Sequence, residues 1–258
     1  MKIAVCLKLV PSTTAVIRIA AGGKSLDLVG VEMVVSPYDE FALEAALQIR
    51  TKVSGSEILA LTVGGEESCK VLQHAFALEV ERGIWINAIG LDAAAAAHCA
   101  AAILKPYAPD LVFCGRQAID DDAWLFPALL GELLDLPHVT TASRFELFND
   151  GKKASCLRRI EGGEEIIEVS LPTVISCDKG LNEPRSPTLK GRLNAKKKPV
   201  EIKTPSELGL DASVLSPALN IIQYAPPSSK TPGKIITSPP KEAAAELVRL
   251  LRDEAKVI

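Results

Sequence analysis

Residues 110–135 read DLVFCGRQAIDDDAWLFPALLGELLD. An apolar run of strand type at 110–114 passes into a polar turn, Gly115 to Asp122, and then into a helix expected over about 121–135. A strand that feeds a helix in this way is half of a βαβ unit, and the N-terminal sequence repeats the pattern. KIAVCL (2–7), EILALTV (57–63) and GIWIN (83–87) are further short apolar runs separated by helix patterns. Ser36-Pro37-Tyr38-Asp39 opens the first helix, with serine as N-cap, proline at the first helical position and Asp39 close to the capping-box place. Phe41, Ala42, Ala45, Ala46 and Ile49 then keep helical spacing, and 66–79 and the alanine-rich 92–105 supply the second and third helices. Strands alternating with helices predict an α/β fold, a mostly parallel sheet of nucleotide-binding type with helices on both faces.

Past 135 the texture becomes strand-like, at 139–148, 155–160, 165–171 and 173–177, with Glu161-Gly162-Gly163-Glu164 as a hairpin turn. Ten prolines then fall between 184 and 240, which predicts an extended tail rather than a packed unit. The tail ends in KEAAAELVRLLRDEAKVI, where Ala244, Leu247, Leu250 and Leu251 share one face of a helix expected over 239–256. An apolar stripe at the end of a long arm needs a surface to cover it. The organisation expected is an α/β domain over 1–190 and an arm over 191–258 whose proline-rich lead is 226–240.

Composition narrows the function. With 48% hydrophobic and 24% charged residues in 258, the chain has enough apolar content for a full core, which excludes disorder and collagen-like repeats. A net charge of -3 offers polyanions no general field, so nucleic acid is not the expected partner, although Lys196, Lys197 and Lys198 make a local basic run. No uncharged run approaches a membrane span, so membrane insertion is not expected, and the chain is placed in the cytoplasm or a mitochondrial matrix. The six cysteines fall singly, without Cys-x-x-Cys spacing, and read as buried thiols of a reducing compartment. Asp120, Asp121 and Asp122 suit the positive end of a helix dipole better than a metal, because consecutive carboxylates seldom aim at one point and no histidine lies nearby in sequence. His74, His98 and His138 stand alone, and no catalytic residue is assigned.

Four blocks in order carry a resemblance that spacing alone would not: SPYDEFALEAALQIR (36–50), GRQAIDDD (115–122), LRRIEGGEEIIEVSLPTVIS (157–176), and LNEPRSPTL (181–189) followed by AKKKP (195–199). Together they closely resemble the β subunit of electron transfer flavoprotein over nearly the whole chain. The resemblance implies a heterodimer with a larger α subunit that holds most of an FAD, while the β arm reaches over the partner. It implies an electron carrier, not an enzyme with its own acid and base, that takes electrons from acyl-CoA or similar dehydrogenases and passes them to a quinone oxidoreductase or another acceptor. It also implies a crevice for AMP formed by Cys6, by Ser36, Pro37, Tyr38 and Asp39, by Val63, and by Asp120, Asp121, Asp122 and Ala123 with the helix that follows. Leu181, Asn182, Glu183, Pro184 and Arg185 correspond to the family's recognition loop, with Leu189 in the place of its exposed docking leucine.

Around the crevice the sequence departs from the family pattern. Leu125-Phe126-Pro127 stands where Gln-Thr-Gly is usual, which removes an amide, a hydroxyl and one backbone N–H from the helix start. Leu78-Glu79-Val80-Glu81 replaces Met-Gly-Ala-Asp, and Ser36 replaces an asparagine. The expectation is a remodelled crevice in which AMP is absent or weakly held. Relatives that place a second FAD there carry a glycine where Asp121 stands and Gln-Val-Gly-Pro after it, and neither is present. The rival reading is a free-standing adenine-nucleotide enzyme or sensor of the same broad fold. It would want a glycine-rich phosphate loop, for which Gly64-Gly65 is too little, and would give the arm no purpose. A β subunit without nucleotide, serving only as a docking scaffold, is the third.

Overall fold

A computed structural model of the chain describes residues 1–228 and 232–258. Part of the proline-rich lead, residues 229–231, thus lies outside the described residues. In chain order the strands are β1 (Lys2–Cys6), β2 (Leu9–Pro11), β3 (Arg18–Ile19), β4 (Leu26–Asp27), β5 (Met33–Val35), β6 (Glu57–Gly64), β7 (Arg82–Asn87), β8 (Leu111–Gly115), β9 (His138–Phe148), β10 (Lys153–Ile160), β11 (Gly163–Ser170), β12 (Thr173–Cys177) and β13 (Glu201–Lys203). The helices are α1 (Pro37–Lys52), α2 (Cys69–Ala77), α3 (Ala93–Tyr107), α4 (Phe126–Leu134), α5 (Leu189–Ala195), α6 (Ala212–Leu215) and α7 (Pro240–Arg249).

Nine strands form one sheet in the order β11-β10-β9-β12-β8-β1-β6-β7-β13. From β9 to β13 every pairing is parallel, and only the hairpin strands β10 and β11 run antiparallel at one edge. The chain grows outward from β1 through β6 to β7, then returns to the other side of β1 as β8, so the strand order reverses at β1 and β8. Parallel strands buried on both faces are apolar throughout, and side-chain alternation sends successive residues to opposite layers. Ile3 and Val5 of β1 join a core with α1, α2 and Ala195 of α5, whereas Ala4 and Cys6 join a second core with α3 and Leu130 of α4. Alanines at 95, 97, 100 and 101 leave α3 little side chain to keep it off the sheet, and Asp92 caps it by accepting from Ala95 N at 2.9 Å.

Three expectations are corrected. The helix expected from 121 starts at Phe126; Asp122 and Trp124 have φ of 48° and 58°, left-handed values that a continuing α-helix cannot hold. Ser36 sits at the N-cap position of α1 without a side-chain cap bond, and Asp39 serves no capping box because its carboxylate is turned to the strand ends described below. The boundary expected at 190 also moves. Beyond it, α5 packs on α2, β13 pairs with β7, Leu208, Leu210 and Leu215 rest on the α3 core, and Tyr224 N donates to Gly23 O, so the chain stays on the domain to about residue 224. Apolar residues spaced between the prolines, which composition alone hides, hold it there. Leu247 and Val248 are exposed on α7, and the wider helical turn Leu250–Glu254 continues it.

All six cysteines are free, and five of them are buried. The seat of α5 is tight: a Cβ on Gly191 would run into the carbonyl oxygen of Ala77, and no flexible side chain stands there to yield. The Gly191→Ala variant is expected to lose about 1–3 kcal/mol of stability from overpacking, read as a lower urea midpoint at unchanged slope.

Candidate functional site

At the carboxyl ends of the central strands, where the strand order reverses, open α/β sheets leave a crevice. Here it is a cavity of ≈ 280 Å³ lined by the ends of β1, β6 and β8, the loop 88–93 before α3 and the segment 115–127 before α4. Of the residues expected at the site, Cys6, Asp39, Val63, Asp121 and Ala123 line it. Ser36 and Pro37 do not; Ser36 is fully buried and its hydroxyl has no partner among the described residues.

Asp39 fixes the geometry. Its carboxylate accepts from Lys8 N at 2.7 Å and Gly115 N at 3.0 Å, clasping the ends of β1 and β8. Gly115 is required there, because a Cβ would lie 2.8 Å from Asp39 N. Burial pushes the Asp39 carboxyl up to about 7, against the opposing pull of the two N–H groups.

The three aspartates cap their own loop rather than a helix. Lys8 Nζ bonds Asp120 at 2.8 Å and Asp121 at 2.9 Å, Asp121 also accepts from Ala123 N at 3.1 Å, and Asp122 accepts from the Gln117 amide. Beside them the Arg116 guanidinium lies between the rings of Tyr38 and Trp124, at 4.5 and 4.4 Å from their centroids, and donates to Asp178 at 3.0 Å and to the Tyr38 hydroxyl at 2.8 Å. Tyr38 therefore works at the rim, not in the cavity wall. Sequence reasoning missed Lys8, Thr62, Arg116, Gln117 and Trp124. A lysine two residues past the first strand and an arginine opening the turn after β8 were the available signals.

The LNEPR segment is pinned at its base and open at its end. Leu181 packs on the α1 core, and Asn182 Nδ2 donates to Phe41 O at 2.9 Å. Arg185 grips Glu44 with Nε at 2.7 Å and Nη2 at 2.8 Å. Burial pushes the Glu44 carboxyl up, but the Arg185 guanidinium and the Gln48 amide outweigh it and hold it below the usual range. Glu183 and Pro184 are exposed, and Leu189 is 77% exposed at the start of α5 with Leu193 one turn on. In the basic run, Lys198 is tied to Val80 O at 2.6 Å, and only Lys196 and Lys197 point to solvent.

A doubly wound, mostly parallel sheet with a crevice at its switch point defines an α/β domain of nucleotide-binding-like fold; among the described residues no metal ligands are grouped and no helix is long and apolar enough to cross a membrane. The family profile described as "Electron transfer flavoprotein domain" matches residues 25–208. The chain is 39% identical to the electron transfer flavoprotein subunit beta of Bacillus subtilis over 233 residues, 89% of this chain and 90% of that one. It is 33% identical to the subunit beta of Syntrophomonas wolfei, covering 100% and 98%, and 32% identical to the mitochondrial subunit beta of Arabidopsis thaliana over the full length of both. The chain belongs to the electron transfer flavoprotein β-subunit family, whose members are electron carriers that work with an α subunit.

Because Asp39 titrates near 3.8 when unfolded and near 7 in the fold, the native state holds the extra proton between those values. Its contribution is full in acid and falls as the pH rises to about 7. Asp39→Asn should leave one strand-end N–H without an acceptor and cost about 1–3 kcal/mol. In denaturant titrations at several pH values, the gap between wild type and variant should narrow as the pH rises through that window.

Proposed function

We propose that this chain is the β half of a heterodimer that carries electrons from acyl-CoA or similar dehydrogenases to a quinone oxidoreductase or comparable acceptor, in the cytoplasm. The α subunit holds the FAD, and this chain supplies part of the flavin's surroundings and the clamp. The observation that carries the reading is the exposed arm: Ile222 is 81%, Ile235 85% and Leu247 49% exposed. Isolated apolar side chains in water need no explanation, but a succession of them along one extended segment fits a partner's surface. Burying three such side chains contributes about 5–8 kcal/mol before ordering costs.

The flavin is assigned to the α subunit because both cations of this chain's own crevice, Lys8 and Arg116, are already engaged by carboxylates. Dehydrogenases are met by the loop 181–189, with Leu189 as the apolar anchor and the Arg185–Glu44 pair as the brace that keeps the loop's base rigid. A lone aliphatic anchor suits an encounter that must release quickly.

Purified alone, the chain should carry no flavin, and with its α partner it should give a yellow complex with one FAD. Deleting 226–258 should leave the domain folded by circular dichroism while weakening the heterodimer and its hold on FAD; unchanged affinity and flavin content would remove the arm as clamp. The Leu189→Ala variant should transfer electrons from a dehydrogenase about tenfold more slowly at low acceptor concentration, with FAD content unchanged.

A further inference from the structure

Arg116 stands at the crevice, yet its side chain is bound to the protein's own groups. Nη1 donates to Asp178 Oδ2 at 3.0 Å and Nη2 to the Tyr38 hydroxyl at 2.8 Å, while the rings of Tyr38 and Trp124 stack on the guanidinium. Such a seat needs the flat, forked head of arginine. A lysine ammonium could neutralise Asp178, but it could not stack as a plane and reach two acceptors at fixed angles. The seat also holds strain, because Trp124 keeps φ at 58°, a left-handed value disfavoured for a bulky side chain. The main chain adds a further tie, from Arg116 N to Cys177 O at 3.0 Å.

Asp178 is where the chain leaves β12 for the loop 181–189. Its N–H donates to Ala142 O at 2.9 Å, its carbonyl accepts from Leu181 N at 3.3 Å, and its Oδ1 accepts from Lys179 N at 2.6 Å. Among the described residues Arg116 alone forms an ion pair with it. Farther along, Arg185 grips Glu44, so the stretch 178–185 is held at both ends by ion pairs of opposite polarity, an acid of the loop at its start and a base at its end. Between them Glu183 and Pro184 stand exposed. Leu189 is seated separately, on α5, by the Thr188 cap and the tight contact of Gly191 with Ala77. Partly exposed pairs add little to stability, but a turn fixed before an encounter loses no further freedom on docking. We propose that Arg116 is a positioning residue for the docking of electron donors: acting through Asp178, it holds the Glu183-Pro184 turn in place beside Leu189. The inference rests on the reading of this loop as the dehydrogenase contact.

The test uses the FAD-loaded heterodimer as substrate of a purified acyl-CoA dehydrogenase. Arg116→Gln should raise the dehydrogenase's KM for the complex about fivefold, with kcat, FAD content and thermal midpoint unchanged, and Arg116→Lys should recover only part of the loss. In the Glu183→Ala/Pro184→Ala background Arg116→Gln should raise KM no further, whereas Leu189→Ala should add its own effect in full. Amide hydrogen exchange on the same complex, with no dehydrogenase present, supplies the second readout. In Arg116→Gln it should be at least about fivefold faster at Leu181 and Arg185, whose N–H groups bond Asp178 O and Glu44 Oε2 at 3.3 Å, and unchanged in α5. Unchanged KM or unchanged exchange in Arg116→Gln would overturn the inference and leave the carrier reading standing. So would full recovery by Arg116→Lys, or an effect that persists without the turn's side chains. A complex that no dehydrogenase reduces would remove the carrier reading and this inference together.

Discussion

The structure turns on a carboxylate buried between two strand ends. Asp39 bonds the first free N–H beyond β1 and the last residue of β8, the two strands between which the sheet reverses its direction of growth. Parallel strand ends leave N–H groups with nowhere to go, and a helix beginning beside them can satisfy both with one acidic side chain. The cost appears as a carboxyl pushed up to about 7. In return the start of α1, the end of β1 and the turn after β8 become a single piece, and every wall of the crevice is measured from it. The absence of side chain at Gly115 follows directly.

The same helix carries a second buried acid on its far side. Glu44 faces Arg185, so α1 holds the crevice through Asp39 and the loop 181–189 through Glu44 within two turns. Charge economy is strict throughout this region. Lys8 is matched by Asp120 and Asp121, and Arg116 by Asp178 and two aromatic faces. These pairs are partly exposed, so each adds little to stability; their effect is on what the surface can recognise.

Much of this was legible in the residues. Apolar runs at 57–63 and 83–87, separated by helix-period segments, point to a parallel sheet because helical crossovers between such strands cover both of their faces. The Gly115 turn placed the crevice. Legibility failed where long-range packing decides. Asp39 looks like a capping-box residue until β8 arrives 76 residues later to claim it. The start of α4 looked continuous with the aspartates because the left-handed turns at Asp122 and Trp124 leave no mark in composition. Strand β13 hid among prolines, since three residues beside an edge are too few to show a period. Lys8 and Arg116 were passed over despite their positions at the strand ends, because a cation's role depends on which anions fold against it.

The backbone bond from Tyr224 N to Gly23 O, 2.7 Å long, ties the root of the arm to the hairpin of β3 and β4. The arm therefore leaves the domain from a fixed point and not from wherever its chain happens to wander. On the clamp reading proposed above, the apolar end of the arm would search for its seat as a tethered group once the two subunits touch, at an effective concentration on the order of millimolar. Its docking then depends on the length of the tether and no longer on how dilute the protein is. The heterodimer can thus come together as two modest contacts in sequence, the first set by collision and the second by geometry.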